Sequence, residues 1–399
     1  MPEPSTNAPE GERENALRDT LVHRLLLFSE RQAQLSPAAV AASLALNALV
    51  VAGLWWSGGT LADGIAAGGL VALLSATNAV MLAQLPVRGR SWGNPKPPLL
   101  ALSALQALLI GIVGVFAPLV PGALVIAAGI GAGLTALAFY ATWIEPFNVG
   151  VTRQRLVNAD STSDRMFTLL HLSDLHIERV GLRERRVNAL IEALKPDMIV
   201  FSGDFINISY RDDPTAHAAV RDVIGQWHAP YGVYVVPGTP AVENGQAIAI
   251  FTADQPNLTV LLNEWRSIDT PAGTIHLLGL VTTHDLAYDR VVLAHALNAA
   301  PKTPAMRIVL THSPDLAPDA SKAGCHLYLC GHTHGGQIRV PFIGAILTAS
   351  HYGRRFVMGR YNVEGMTLYT TRGLGMEGFG APRARFLCPP EVVLWEIKP

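Results

Sequence analysis

The sequence predicts an α/β domain with a largely parallel sheet, preceded by a module of four transmembrane helices. Three observations support this prediction. Long uncharged apolar stretches are confined to the first 150 residues, short apolar strands alternate with amphipathic helices after residue 155, and Asp and His residues follow several of those strands. Together these patterns indicate a membrane protein whose globular domain carries a site at one edge of its sheet.

The membrane module is predicted from segments that lack Asp, Glu, Lys and Arg. Residues 37–56 and 64–86 are uncharged, and residues 97–144 are uncharged over 48 positions, with the turn dipeptide Pro121-Gly122 near the middle. Since a helix needs about 20 apolar residues to cross the hydrocarbon core, these segments predict four spans. We therefore expect an N-terminal segment at 1–34, four transmembrane helices within 35–147 and a globular domain at 148–399.

The distribution of positive charge predicts the orientation of the module. Arg and Lys lie in the N-terminal segment, in the loop between the second and third spans, and just after the fourth, whereas the two opposite tips carry none. Because positive residues are retained in the cytoplasm, both termini and the domain should be cytoplasmic, in a multi-pass protein of the cell (inner) membrane. The residues are Arg13, Arg18, Arg24, Arg31, Arg88, Arg90, Lys96, Arg153 and Arg155.

Composition argues against several other functions. With 30 basic and 31 acidic residues the chain has no excess positive charge, so nucleic acid is not an expected partner, whereas membrane lipids are. The polar residues inside the spans, Asn47, Asn78 and Gln106, are amides. They predict hydrogen bonds between helices, and the module is predicted to be an anchor, since a transport path usually needs ionisable groups.

Polar residues follow the predicted strands of the globular domain. Strands are predicted at 167–174, 196–204, 231–238, 307–315 and 325–336, with a helix at 185–194. Side chains at the carboxyl ends of parallel strands meet at one edge of a sheet. Nitrogen and oxygen donors together suit Mn, Fe or Zn better than Mg or Ca. The candidate metal ligands are Asp174, His176, Asp204, His312, His332 and His334.

The motifs that contain these residues resemble a known family. "SDLH", "SGD", "THSP" and "CGHTHGGQI" resemble the calcineurin-like metallophosphoesterase superfamily. "IEPFNV", "PRARF" and "CPPEV" are similar to its membrane-anchored bacterial branch, which includes phosphodiesterases and UDP-diacylglucosamine pyrophosphatase-like enzymes. The resemblance covers residue 144 to the C-terminus. It implies a four-layer αββα sandwich and metal-dependent hydrolysis of a phosphodiester or pyrophosphate.

The resemblance also implies how two divalent metal ions would be held. One metal would take Asp174, His176, Asp204 and His334. The second would share Asp204 and add His312 and His332. Two cations about 3.5–4 Å apart activate a water nucleophile and neutralise phosphoryl oxygens. A lipid-linked phosphorylated substrate is favoured, because the domain would be tethered beside the bilayer.

One turn departs from the family pattern of Gly-Asn-His followed by an acid. Here the turn is Gly238-Thr239-Pro240-Ala241, so it lacks the amide ligand, the imidazole that contacts or protonates the substrate, and the acid that orients it. Pro240 stands at the expected acid position and cannot transfer a proton. Loss of a general acid costs about 10²–10⁴-fold in rate. The sequence therefore predicts no certain catalytic acid.

Three hypotheses follow from this turn. Glu243 or Asn244 folds back and supplies the missing ligand, or the enzyme works slowly on substrates with good leaving groups. In the third hypothesis, the protein is impaired or inactive and acts as a metal- or ligand-binding sensor or scaffold. The remaining histidines, His284 among them, lack partners at metal-ligand spacing, and we expect them to be structural or exposed.

Overall fold

A computed structural model of the protein describes residues 21–157, 166–378 and 382–398. The described residues form two compact units. Of the described residues, the helical unit contains 25–144, 378 and 382–384, and the sheet-containing unit contains 21–24, 145–157, 166–377 and 385–398. Within the predicted N-terminal segment, the structure has a helix, α1, over Leu21–Ala33, whereas residues 1–20 lie outside the described residues. Along the chain, the two units meet between Ile144 and Glu145, three residues before the predicted boundary between residues 147 and 148.

The helical unit has four helices that are long and apolar enough to cross a membrane, as the sequence predicts. The second and third lie on either side of a charged loop, and the third and fourth are joined through the turn that contains Gly122, whose φ is +75°. The α-helices are α2 Pro37–Gly58, α3 Leu61–Val87, α4 Lys96–Phe116 and α5 Ala123–Phe139. With the short turns that follow them, the last two candidate spans reach Leu119 and Phe147.

The polar residues of these helices bond to one another, as predicted. The Asn78 side-chain amide donates to Gln106 Oε1 at 3.0 Å, and the Gln106 amide donates to the Gly131 carbonyl at 3.0 Å. Small residues also let the helices approach closely, since a Cβ added to Gly114 would lie 2.3 Å from the Trp55 ring. Hydrogen bonds and close backbone contacts are what hold helices together when lipid surrounds them.

The other unit contains two six-stranded sheets and a two-stranded hairpin. The first sheet has the order β1-β14-β2-β3-β4-β5 and the second has the order β12-β13-β9-β8-β7-β6. Pairing is parallel through β2-β3-β4-β5 and through β13-β9-β8-β7. The strands are β1 Gly150–Val157, β2 Phe167–Leu172, β3 Met198–Phe201, β4 Val233–Val235, β5 Leu258–Val260, β6 Glu264–Thr270, β7 Gly273–Leu280, β8 Met306–Thr311, β9 Leu327–Cys330, β10 Arg339–Val340, β11 Gly344–Ala345, β12 Gly359–Val363, β13 Met366–Thr370 and β14 Glu391–Lys398.

The sheets stack face to face with helices outside them. One apolar core combines inward residues of both sheets, for example Leu169 and Ile308. A second lies between the first sheet and three helices, and a third lies between the second sheet and two helices. The helices are α6 Leu182–Leu194, α7 Pro214–Ile224 and α8 Gly245–Thr252 on one side, and α9 Leu286–Asn298 and α10 Ala317–Lys322 on the other.

This arrangement confirms the predicted four-layer αββα sandwich. Successive residues of a strand point to opposite faces of the sheet, so Leu169 packs between the two sheets and Leu170 packs between the first sheet and its helices. The parallel central strands β2 and β3 of one sheet and β8 and β9 of the other end beside the loops that carry the candidate ligands. The sandwich therefore brings residues from far apart in the chain to one edge.

Candidate metal centre

Four of the predicted ligands form one tight, buried group. Asp174, His176, Asp204 and His334 each offer an oxygen or nitrogen atom, and these atoms all lie within 4.8 Å of one another. His176 Nε2 lies 2.9 Å from His334 Nε2 and 3.4 Å from Asp204 Oδ2. We call this group the first half of the site. Two imidazole nitrogens this close, beside carboxylate oxygens, form a donor set that suits a divalent cation.

The other two predicted ligands lie beside the same group and form the second half of the site. His312 Nε2 is 3.2 Å from Asp204 Oδ2, and His332 Nδ1 is 3.1 Å from His312 Nε2. One carboxylate oxygen, Asp204 Oδ2, therefore faces an imidazole of each half. Asp204 is therefore the residue that both halves would share if each of them held a cation.

Backbone carbonyls set the tautomers of the second-half histidines. His312 Nδ1 donates to the Ser202 carbonyl at 2.8 Å, and His332 Nε2 donates to the Ala349 carbonyl at 3.0 Å. Because a carbonyl can only accept, each of these ring nitrogens carries the hydrogen. The opposite nitrogens, His312 Nε2 and His332 Nδ1, face each other, and they are the ring atoms that would be turned toward a metal ion, as in metal sites whose ligands are oriented by outer hydrogen bonds.

The backbone of the site is strained. Asp174, His176, Asp204, His332 and His334 all have positive φ, between 44° and 69°. Such left-handed conformations are uncommon for residues other than glycine and cost on the order of 1–3 kcal/mol each where the backbone is forced into a sparsely populated region. Their concentration at one place is typical of a functional site, where the surrounding structure imposes side-chain direction.

Two glycines allow the loops to meet at Asp204 and Asp174. A Cβ added to Gly238 would lie 2.2 Å from the amide nitrogen and Oδ1 of Asp204, and a Cβ added to Gly331 would lie 2.2 Å from Asp174 Oδ2. Real Cβ atoms do not approach other atoms so closely. Any side chain at either position would therefore displace a carboxylate of the site.

The carboxylates of the site favour positive charge beside them. Burial alone would lower the pKa of His312, but the Asp204 and Asp174 carboxylates outweigh burial and raise that pKa to about 10. Burial and the neighbouring His312 lower the pKa of His332 to about 4, so its ring is neutral and free to ligate. Asp174 Oδ2 is buried with no hydrogen-bond partner. Carboxylates that attract a cation, a neutral imidazole and an unpaired buried oxygen fit divalent metal ions.

The altered turn lies against the second half of the site. The Thr239 amide donates to Asp204 Oδ1 at 2.8 Å, and the Thr239 hydroxyl lies 3.4 Å from Asp204 Oδ2. Thr239 thus brings a neutral hydroxyl to the shared oxygen, beside Pro240 and Ala241, which offer no polar side chain. The backbone of the turn still orients Asp204, although its side chains supply no strong ligand.

Glu243 and Asn244, the two candidate replacement ligands, have other partners in the structure. The buried Glu243 carboxylate accepts from the backbone N–H groups of Asp204, Phe205, Ile206 and Gly238. The exposed Asn244 side chain caps helix α8 by accepting from the Ala247 amide at 3.0 Å. Glu243 therefore clamps the loop after β3 to the turn after β4, and acts on the backbone around Asp204.

The structure adds one histidine that was not expected at the site. His284 is buried, and its ring stacks on that of His332 with centroids 4.5 Å apart and an interplanar angle of 28°. Its Nε2 atom is buried without a hydrogen-bond partner. His284 also has a positive φ, 61°, as most of the candidate ligands do.

A sequence signal for His284 exists. The apolar run "TIHLLGLV" ends a few residues before His284, and in the structure it forms β7, which pairs in parallel with β8. His284 thus follows a parallel strand, as the candidate ligands do, in the sheet that delivers His312. His171, by contrast, is a structural histidine, since it is buried and its Nε2 lies 2.9 Å from Ser202 Oγ.

Comparison with known proteins gives three informative relatives. YkuE of Bacillus subtilis, an uncharacterised metallophosphoesterase, is 29% identical over 293 residues, which are 71% of this chain and 95% of YkuE. The phosphodiesterase YaeI of Escherichia coli is 31% identical over 234 residues, 58% of this chain and 82% of YaeI. The UDP-2,3-diacylglucosamine pyrophosphatase LpxG of Chlamydia trachomatis is 23% identical over 331 residues, 67% of this chain and 97% of LpxG. No family model matches the chain.

Proposed function

The chain belongs to the metallophosphoesterases, hydrolases of phosphoester bonds, and we propose that it is a membrane-anchored, metal-dependent hydrolase of a phosphodiester or pyrophosphate. One observation carries the proposal. A single oxygen, Asp204 Oδ2, lies 3.4 Å from His176 Nε2 and 3.2 Å from His312 Nε2, between the two halves of the site. A carboxylate shared in this way suits a pair of cations, which is the arrangement that phosphoester hydrolysis uses.

The residues of each half would hold one cation, with Mn, Fe or Zn favoured by the mixed nitrogen and oxygen donors. When bound, the pair supplies an activated water and positive charge for the phosphoryl oxygens. The residues would be Asp174, His176, Asp204 and His334 for the first metal, and Asp204, His312 and His332 for the second.

The residues around the metal site determine which leaving groups the reaction can use. The carbonyls of Ser202 and Ala349 hold His312 and His332 in orientation, and Glu243 holds the backbone on both sides of Asp204. Pro240 cannot give a proton to a leaving group. Substrates whose leaving group departs as a stable anion, such as a pyrophosphate that releases a phosphate monoester, are therefore favoured over alkyl phosphodiesters.

An amphiphilic substrate is supported by two further observations. The four apolar helices would hold the domain beside a bilayer, which raises the effective concentration of lipid-linked phosphates. LpxG, one of the relatives, is named for a lipid-linked pyrophosphate substrate. The Arg and Lys residues near the span ends support a cytoplasmic domain at the cell membrane.

A non-catalytic binding protein is the second candidate function, and the altered turn favours it. Thr239 brings only a hydroxyl to Asp204, while Glu243 and Asn244 bond elsewhere, so no side chain of this segment replaces the missing amide and imidazole. In that case the site would bind metal and phosphate, and the protein would act as a sensor or scaffold.

The two candidates are separated by measuring hydrolysis and metal content together. The purified full-length chain in detergent would be assayed with Mn²⁺ and bis-p-nitrophenyl phosphate, whose leaving group needs no acid. We expect turnover that falls by about 10²–10³-fold in Asp204→Asn, since a group that organises charge in the transition state is lost. Asp222→Asn, an exposed aspartate of α7, is the matched control. Bound metal without turnover in the unaltered chain would contradict the hydrolase and support the binding protein.

A further inference from the structure

A cluster of exposed apolar side chains lies at the rim of the metal site. We call residues 338–347 the apolar hairpin. It consists of β10, β11 and the tip Pro341-Phe342-Ile343. Phe342 is fully exposed, and Ile343 and Ile346 are each 61% exposed. Elsewhere in the described part of this unit, large apolar side chains with such exposure do not run together along the chain.

The apolar hairpin is built from the same segment as the metal site. The ligand His334 precedes it by four residues, and a Cβ on Gly336 would lie 2.3 Å from Ala345 Cβ, so the hairpin packs directly on the ligand loop. Ala349, two residues after the hairpin, accepts the hydrogen bond of His332 at 3.0 Å. The hairpin and Ala349 thus both contact the loop that carries His332 and His334.

Two arginines lie at the base of the apolar hairpin. The Arg354 guanidinium donates to the carbonyls of Ile343 at 2.9 Å and Ala345 at 3.1 Å, and Arg339 donates to the Gly335 carbonyl at 2.7 Å. From residue 335 to residue 363 the sequence contains four arginines and no Asp or Glu. An apolar tip with the two arginines Arg339 and Arg354 at its base matches the interface of a bilayer with anionic lipid, where acyl chains lie beneath phosphate groups.

The tip also satisfies part of its own backbone, which burial in lipid requires. Pro341 has no N–H group, Arg354 bonds the carbonyls of Ile343 in the tip and Ala345 in β11, and the Ile343 amide donates to the Val340 carbonyl at 3.2 Å. A second copy of the chain fits the patch less well, because pairing two such hairpins would bring the arginines of both copies together.

We propose that the apolar hairpin docks on the surface of an anionic bilayer, with Phe342 and Ile343 among the acyl chains and Arg339 and Arg354 at the level of the phosphates. The inference rests on the proposed membrane anchoring. The partner of the apolar hairpin is then the lipid surface. Amphiphilic phosphoesters would reach the metal site from the headgroup region of that surface.

The test places a fluorophore on the tip of the full-length chain. Because all three native cysteines are buried, Phe342→Cys provides an accessible thiol for an environment-sensitive dye such as nitrobenzoxadiazole. The labelled chain is placed in nanodiscs of phosphatidylethanolamine and phosphatidylglycerol. Val291→Cys, at a position of α9 that is 61% exposed, is the matched control, and the unaltered chain measures labelling of native thiols.

We expect the dye at 342 to be quenched by a doxyl-labelled lipid and to be several-fold less accessible to iodide than the dye at 291. Equal iodide quenching at both positions would overturn the inference, and so would a dye at 342 protected from both quenchers, since that result reports a protein contact. A chain that alkaline carbonate releases from membranes would instead overturn the anchoring on which the inference rests.

Discussion

The two halves of the site are built from the same kinds of residue but are not equally complete. In the first half, Asp174, His176, Asp204 and His334 offer four candidate ligand atoms that lie within 4.8 Å of one another. In the second half, His312 and His332 face the shared Asp204, and the turn contributes only the Thr239 hydroxyl. The halves therefore differ in one segment, the turn after β4.

This difference shows that loss of ligand side chains need not disturb the frame that holds them. Gly238 still approaches Asp204, and the Thr239 amide still donates to Asp204 Oδ1 at 2.8 Å. Glu243 still ties the turn to the loop after β3 through backbone amides. Because the backbone of the turn keeps these contacts, the amide and imidazole side chains that the turn lacks can be introduced by single substitutions.

The largest expected effect comes from restoring the turn. The double variant Thr239→Asn with Pro240→His returns an amide donor and an imidazole to the second half. We expect hydrolysis of an alkyl phosphodiester, which needs a proton for its leaving group, to rise by about 10²–10⁴-fold. Hydrolysis of bis-p-nitrophenyl phosphate should rise far less. The measurement is kcat/KM for both substrates, with Thr239→Asn alone as the control. An equal change for both substrates would show that the imidazole does not act as an acid.

A smaller effect, on metal affinity, is expected when one candidate ligand is removed from each half of the site in turn. His334→Ala should lose the first metal and His332→Ala the second, because each side chain belongs to one half. In the unaltered chain, calorimetric titration with Mn²⁺ should resolve two affinities that differ by about 10–100-fold, the scale on which supporting groups change metal affinity. Metal content of each variant is measured by mass spectrometry after dialysis. Identical metal loss in both variants would indicate that the two halves bind as one unit.

The smallest effect concerns His284. Its ring stacks on that of the candidate ligand His332, and its Nε2 atom is buried without a hydrogen-bond partner, so we expect Nε2 to donate to a bound oxyanion. We expect His284→Phe, which keeps the stacking, to weaken competitive inhibition by inorganic phosphate about tenfold, the equivalent of one hydrogen bond to a charged group. His284→Gln should weaken it less. A change in metal content would assign His284 to metal binding instead.

Much of the molecule follows from local sequence. The four candidate spans are defined by uncharged length, and the α/β fold is indicated by alternating strands and helices, so both were predictable without tertiary contacts. The six candidate ligands were found because each follows a strand closely, and strand ends share an edge of a parallel sheet. These signals depend on neighbouring residues only.

Other parts of the site could not be predicted in this way. Glu243 lies five residues beyond Gly238 and is a candidate ligand from the sequence. Its carboxylate instead accepts hydrogen bonds from four buried N–H groups, and no sequence pattern specifies these contacts. His284 lies 28 residues before His312, and it joins the site only because β7 pairs beside β8. The exposure of the apolar hairpin could not be predicted either, because the same apolar residues would be buried if another segment packed against them.

The sequence by itself determined the four helices that are long and apolar enough to span a membrane, the α/β class and the kinds of donor atom at the strand ends, because these depend on hydrophobic length, periodicity and residue type over short distances. The tertiary structure decided which histidines converge, that Glu243 serves the backbone around Asp204, and that Phe342 and its neighbours face outward. The physical reason is that hydrogen-bond partners and burial are set by contacts between strands and loops that are distant in the chain.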